Sequence, residues 1–164
     1  GNLLVGTTST GNAGGISIMP NASNGSGIII FDRSNTTLTS TALNFENNNS
    51  AVGSVAFNNS STFYNTSSDH RLKENVTADW DATTRLKQLN PVRFNFIADA
   101  DTTVDGFLAH EVQSVVPEAI TGTHNEVDAD GNPVYQGIDQ SKLVPLLVKT
   151  IQELEARIVA LETA

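Results

Sequence analysis

Charge is distributed so unevenly along this chain that one uniform domain does not account for it. Residues 1–67 carry one basic residue, Arg33, and two acidic ones, Asp32 and Glu46, while residues 68–164 carry eight basic and sixteen acidic residues. The first stretch is instead rich in Asn, Ser, Thr and Gly. A chain of 164 residues is long enough for one domain or two small ones. The compositional break predicts two units, 1–67 and 68–164.

Residues 1–67 hold short apolar runs separated by turn residues. Leu3-Leu4-Val5 closes at Gly6, Ile16-Ser17-Ile18 precedes Pro20-Asn21, and Ile28-Ile29-Ile30-Phe31 lies between Gly27 and Asp32. Leu43-Asn44-Phe45 and residues 52–57 alternate at the two-residue period of strands. The Asn, Ser and Gly clusters between them read as loops. About five short strands with small side chains give a monomer little to bury. Either this segment is disordered, or it is a β-stalk whose strands complete their core with those of neighbouring subunits. The regular β-branched and aromatic runs favour the stalk. Asp32 and Glu46 are lone carboxylates and read as turn and surface residues.

Several function classes fall away on composition. The chain has no cysteine, hence no disulfide framework and no thiolate metal site. No apolar run approaches the roughly 20 residues that cross a bilayer, so no membrane insertion is expected. The formal charge of −9 argues against nucleic acid, whose phosphates call for a basic surface. No signal peptide opens the chain, and Gly1-Asn2-Leu3 reads as a boundary inside a longer protein.

In the second half, residues 79–89 read as a helix capped by Asp79 or Asp81, with Leu86 and Leu89 on one face and Asn90-Pro91 as its stop. Residues 92–96 alternate as a strand, and 104–108 read as another. Residues 109–116 return to helical spacing and end at Pro117. Residues 126–135 read as a hairpin turning at Asp130-Gly131. They also hold half of a calcium loop, but Asp139 stands where the full loop needs a bidentate glutamate, so no metal or other cofactor is expected.

Asp139 can cap a last helix over 140–162. Val144, Leu147, Ile151, Leu154, Ile158 and Leu161 are spaced three and four apart, a heptad seam. Such a stripe can pack on the domain's own core or on copies of itself. The a/d alternation and a polar outer face with Lys149, Glu153 and Glu155 favour copies. In a parallel arrangement Arg157 at g and the next e residue, Glu162, can pair between chains. β-branched residues at a with Leu at d by themselves favour two strands.

Ser68 and Lys73 lie on the seam between the halves. Alone, Ser-x4-Lys is weak; a loop serine and a solvated lysine are its ordinary reading. As a catalytic pair, the lysine must be neutral, and an unperturbed pKa near 10.4 leaves on the order of one molecule in a thousand neutral at pH 7. Burial or a nearby cation must favour the neutral form, and Arg71 is a candidate. Ser68 would then attack the carbonyl of Ser67. At this spacing the two side chains diverge on a strand or a helix. They can meet only across a turn or between subunits.

Ser68-Asp69-His70-Arg71-Leu72-Lys73-Glu74-Asn75 resembles the self-cleavage motif of the intramolecular chaperone domain of phage tail spikes and tail fibres, the peptidase S74 or endosialidase-type chaperone family. Leu86-Lys87-Gln88-Leu89-Asn90-Pro91-Val92-Arg93-Phe94-Asn95 resembles the L-x-P-V-x-F segment that follows it. Gly106-Phe107-Leu108-Ala109-His110-Glu111-Val112 with Pro117-Glu118-Ala119 resembles the segment G-x-I-A-x-E-V…P-E, with His110 where the family often has Gln. Residues 135–147 and the last helix resemble the family's end.

The resemblance implies Ser68 as nucleophile, Lys73 as base, and a cut between Ser67 and Ser68. The enzyme would turn over once, on its own chain, with no external substrate. It implies a homotrimer whose C-terminal chaperone domains fold the upstream fibre or spike and then leave. The expected fold is α+β: an all-β intertwined trimeric stalk, then a mixed chaperone domain with a long coiled-coil-like helix. Assembly is expected in the host cytoplasm, with the stalk retained in the virion tail. A receptor-binding fibre tip that touches a host glycan, with incidental cleavage, is the second reading; a stalk without clustered aromatics disfavours it.

Overall fold

The computed structural model describes residues 3–5, 15–20, 27–32 and 39–164. The loops expected after Val5, after Pro20 and around Arg33 lie outside the described residues. Contacts divide the chain into two compact units, Gly1–Val76 and Thr77–Ala164.

The first unit holds two three-stranded antiparallel sheets, and the strands expected from the apolar runs are present. β1 (Leu3–Val5), β2 (Gly15–Pro20) and β3 (Gly27–Asp32) pair in that order. So do β4 (Ser40–Asn47), β5 (Ser50–Phe57) and β6 (Thr62–Thr66). β4 and β5 join at Asn48-Asn49, whose φ values of 48° and 59° fall in the left-handed region that asparagine tolerates. The Asn58 side-chain oxygen accepts from the Ser60 and Ser61 amides, each at 2.9 Å, and closes the turn into β6.

Register lines up Leu43, Val55 and Tyr64 across the three strands, and Phe45, Gly53 and Thr66 in a second row. Leu43, Phe45 and Tyr64 are exposed, and among the described side chains of this unit only Ala56 is buried. The single chain therefore leaves an apolar row of this sheet uncovered.

The second unit is mixed α and β. Its helix α1 (Ala82–Leu86) is shorter than the expected 79–89 and is capped by Asp81, which accepts from the Thr84 amide at 3.0 Å. β7 (Val92–Phe96) pairs antiparallel with β8 (Asp99–Gly106), which starts earlier than expected and ends before Phe107. α2 (Ala109–Gln113) gives way to a 3-10 turn at Pro117–Ala119. β9 (Ile120–Thr121) pairs with β10 (Gly137–Ile138). Between them the expected hairpin is present. Val127 bridges Pro133, the Val134 amide donates to Glu126 at 2.8 Å, and Gly131 supplies a φ of 83°.

Ala82, Val112, Val115, Val116, Ala119, Leu143 and Leu146 form the core, with Trp80, Phe107 and Ile138 among the residues packed against it. Asp139 caps a 3-10 turn, Gln140–Leu143, by accepting from the Ser141 amide at 3.0 Å. α3 (Val144–Glu162) follows, with Pro145 in its first turn where a missing amide costs nothing.

The face by which α3 meets its own unit is not the heptad stripe. Leu146 and Thr150 are buried and Glu153 is half-buried against α1, while Val144, Leu147, Ile151, Leu154, Ile158 and Leu161 are all exposed. Glu153, expected on a polar outer face, is on the packed one; Glu155 is exposed as expected. Among the described residues no helix is long and apolar enough to cross a membrane.

Candidate active site

The site starts at the end of β6, within the first unit. β6 stops at Thr66, but Ser67 stays fastened to β5: its amide donates to the Val52 carbonyl at 3.0 Å and its hydroxyl to the Ala51 carbonyl at 2.9 Å. The chain then enters a single 3-10 turn, His70–Leu72, with Asp69 as its cap. The Asp69 carboxylate accepts from the Arg71 amide at 2.8 Å. The Leu72 amide donates to the Asp69 carbonyl and the Lys73 amide to the His70 carbonyl, both at 3.1 Å.

That turn folds Lys73 back. Its Nζ lies 2.7 Å from Ser68 Oγ and 3.2 Å from the Ser68 carbonyl oxygen. Of the two ways the spacing leaves open, the structure has the turn within one chain. A charged Nζ donates to Ser68 Oγ. For the hydroxyl to act as a nucleophile, the same contact has to carry a proton the other way, from Oγ to a neutral amine. Both side chains are exposed in the single chain.

Arg71 is engaged elsewhere. Its Nε and Nη2 donate to Asp69 Oδ1 and Oδ2, each at 2.9 Å, in a two-pronged pair. The Arg71 side chain, then its backbone amide, and more weakly the charge of Lys73 hold the Asp69 carboxyl below its ordinary value. His70 Nδ1 is 3.5 Å from Asp69 Oδ1. The sequence pattern alone assigns no role to Asp69 or to the Ser67 anchor. An aspartate just ahead of a short helical turn was the available signal for the first.

The two downstream segments that carry the resemblance meet one another in the second unit. The Asn90 side chain donates to Glu111 at 3.2 Å, and a Cβ added at Gly106 would stand 3.1 Å from a ring carbon of Phe94. Gly106 thus gives the Phe94 ring its room. Phe94 also packs edge-on to Phe96, with ring centres 5.1 Å apart. His110 stacks on His124, ring centres 4.4 Å apart. Among the described residues no group of three or more His, Asp or Glu side chains is placed to hold a metal ion.

Residues 68–121 match the family model Peptidase_S74, chaperone of endosialidase. The match opens on Ser68 and runs through α1, β7, β8 and α2 to β9. It stops short of the hairpin and of α3. No curated protein matches the chain.

Proposed function

We propose that this chain, with its endosialidase-chaperone segment at residues 68–121, is the end of a fibre or spike in which a trimerising chaperone part folds the β-stalk ahead of it and frees itself by cutting between Ser67 and Ser68. The 2.7 Å contact of Lys73 Nζ with Ser68 Oγ supports this reading best, because it brings an amine to a serine hydroxyl just past the end of a strand.

The chemistry balances within the chain. Ser68 Oγ gives its proton to neutral Lys73 Nζ and bonds to the Ser67 carbonyl carbon. The carbon–nitrogen bond to Ser68 breaks, and the lysine returns the proton to the leaving amine. Ser67 is then an ester on Ser68 Oγ. Water adds to that ester, the carbon–oxygen bond breaks, and the Ser67 carboxylate and the Ser68 hydroxyl and amine remain. Each chain does this once.

Two exposed surfaces support self-association. One is the α3 stripe, exposed in the single chain from Val144 to Leu161; the other is formed by Leu43, Phe45 and Tyr64 on the stalk sheet. Association of three chaperone parts would hold three stalk ends at high local concentration and lower the entropic cost of aligning their strands. A stalk so intertwined persists by its unfolding barrier after the chaperone leaves. In this reading assembly takes place in the host cytoplasm, and the stalk stays in the virion tail.

The test compares two preparations of residues 1–67 by sedimentation and circular dichroism. Expressed alone they are expected to be unfolded or insoluble; released from a cut chain they are expected to stay trimeric. Identical trimers by both routes would make residues 68–164 dispensable for folding and end the chaperone reading.

A further inference from the structure

Between the two members of the Ser68–Lys73 contact lies a second pair. Asp69 accepts three hydrogen bonds from Arg71: one from the amide at 2.8 Å, and one each from Nε and Nη2 at 2.9 Å. We infer that Asp69 and Arg71 are positioning residues for self-cleavage, Asp69 building the turn that returns Lys73 to Ser68 and Arg71 neutralising Asp69 so that its carboxylate does not hold the lysine as an ammonium. This rests on the reading of Ser68 and Lys73 as nucleophile and base.

The first role follows from geometry. The turn is a single 3-10 turn, and a helical turn leaves its leading amides without partners inside it. Asp69 meets the Arg71 amide, and the two amides after it close on Asp69 and His70. The Asp69 carboxylate is the side-chain acceptor of the turn that carries Lys73, beside the two backbone bonds that close it.

The second role follows from charge. A nearby anion favours the charged form of a lysine, and an ammonium is no base. The acceptor that makes the turn is such an anion, and its carboxylate and the Lys73 charge attract each other. Arg71 occupies both carboxylate oxygens with a permanently charged fork. The other ionisable groups among residues 39–76 are His70 at 3.5 Å from Asp69, Glu74 beside Lys73 in the chain, Tyr64 on β6, and Glu46, which accepts from Asn44 at 2.7 Å. Arg71 is thus the cation that makes the aspartate compatible with the base, acting through Asp69 rather than on Lys73 directly.

The test is the pH–rate profile of self-cleavage of the whole chain. Arg71→Ala should move the rising limb to higher pH, about tenfold slower near pH 7 and converging with wild type at alkaline pH, since one pH unit on that limb is tenfold in rate. Asp69→Asn keeps an acceptor and removes the anion, so the double variant Asp69→Asn with Arg71→Ala should bring the limb back. Asp69→Ala, with no acceptor, should be slower than Asp69→Asn at every pH. An Arg71→Ala profile lowered by one factor at all pH values, or unmoved, would overturn the charge role; Asp69→Ala equal to Asp69→Asn would overturn the turn role. Either result with a cut wild type and an uncut Lys73→Ala leaves the dyad standing. An uncut wild type removes the dyad and this inference together.

Discussion

Glu153 reaches back to the first turn of α1 and holds Thr83 by two bonds: its Oε2 accepts from the Thr83 amide at 2.8 Å and from the Thr83 hydroxyl at 2.6 Å. Its Oε1 accepts from the Ala82 amide at 3.0 Å. The carboxylate thus meets amides at the start of α1 that have no partner inside the helix, and it sits where the helix dipole favours a negative charge. It ties the long C-terminal helix to the start of its own domain.

That cap predicts an acid-sensitive fold. The Thr83 hydroxyl, then the Ala82 and Thr83 amides, lower the Glu153 carboxyl from its ordinary value. A carboxyl with a lowered folded value stabilises the fold above its unfolded value, and that contribution disappears as pH falls through the folded value. Residues 77–164 should lose Tm below about pH 4.5, and Glu153→Gln should have a lower Tm at neutral pH with a shallower acid slope. Parallel acid slopes for the two proteins would argue against the cap.

Thr150 is buried on the same face, and its hydroxyl has no hydrogen-bond partner. An unsatisfied buried hydroxyl is destabilising, and valine has the same branched shape. Thr150→Val should stabilise the second unit by about 1 kcal/mol, read as a higher denaturation midpoint at unchanged slope.

Gly53 pairs with Thr66, just ahead of the proposed cut, and a Cβ there would lie 2.8 Å from the Asn65 carbonyl oxygen. Backbone cannot swing away as a flexible side chain can. Gly53→Ala should push β6 off β5, at a cost of about 1–3 kcal/mol, and slow cleavage by disturbing the Ser67 anchor. Unchanged cleavage kinetics would show that the anchor does not matter.

The α3 stripe separates assembly from folding. Ile151 and Leu154 are 64% and 42% exposed in the single chain, so aspartate at both positions leaves the core of Thr77–Ala164 intact. In a seam between copies, two unpaired charges are strongly unfavourable. The double variant should keep its helical circular dichroism, sediment as a monomer or aggregate, and remain uncut. Efficient cleavage in a demonstrable monomer would show that assembly is not the trigger.

The runs from Leu3 to Phe57 announce β1 to β5 by β-branched residues and turn punctuation. β6 stays hidden because Phe63 and Tyr64 are adjacent and break the two-residue alternation. Asn90-Pro91 and Pro117 close helical stretches that stop some residues earlier, in tight turns that local propensity does not distinguish from helix. Glu153 looks like a solvated charge because its partners are about 70 positions away, and no local pattern records such a cap. The Ser68–Lys73 spacing rules out a shared helix or strand face and leaves a turn or a contact between subunits; a turn within the chain joins them. Arg71 is expected as a cation for Lys73, but its guanidinium engages the aspartate two positions earlier.

Self-cleavage is tested most directly by intact-mass spectrometry of folded, assembled protein. The wild type should give two masses, those of residues 1–67 and 68–164. Ser68→Ala, Lys73→Ala and Lys73→Arg should each give one, the last because a guanidinium does not deprotonate near neutral pH. A single full-length mass from assembled wild type after prolonged incubation, or a Lys73→Ala chain cut between Ser67 and Ser68, would contradict the account.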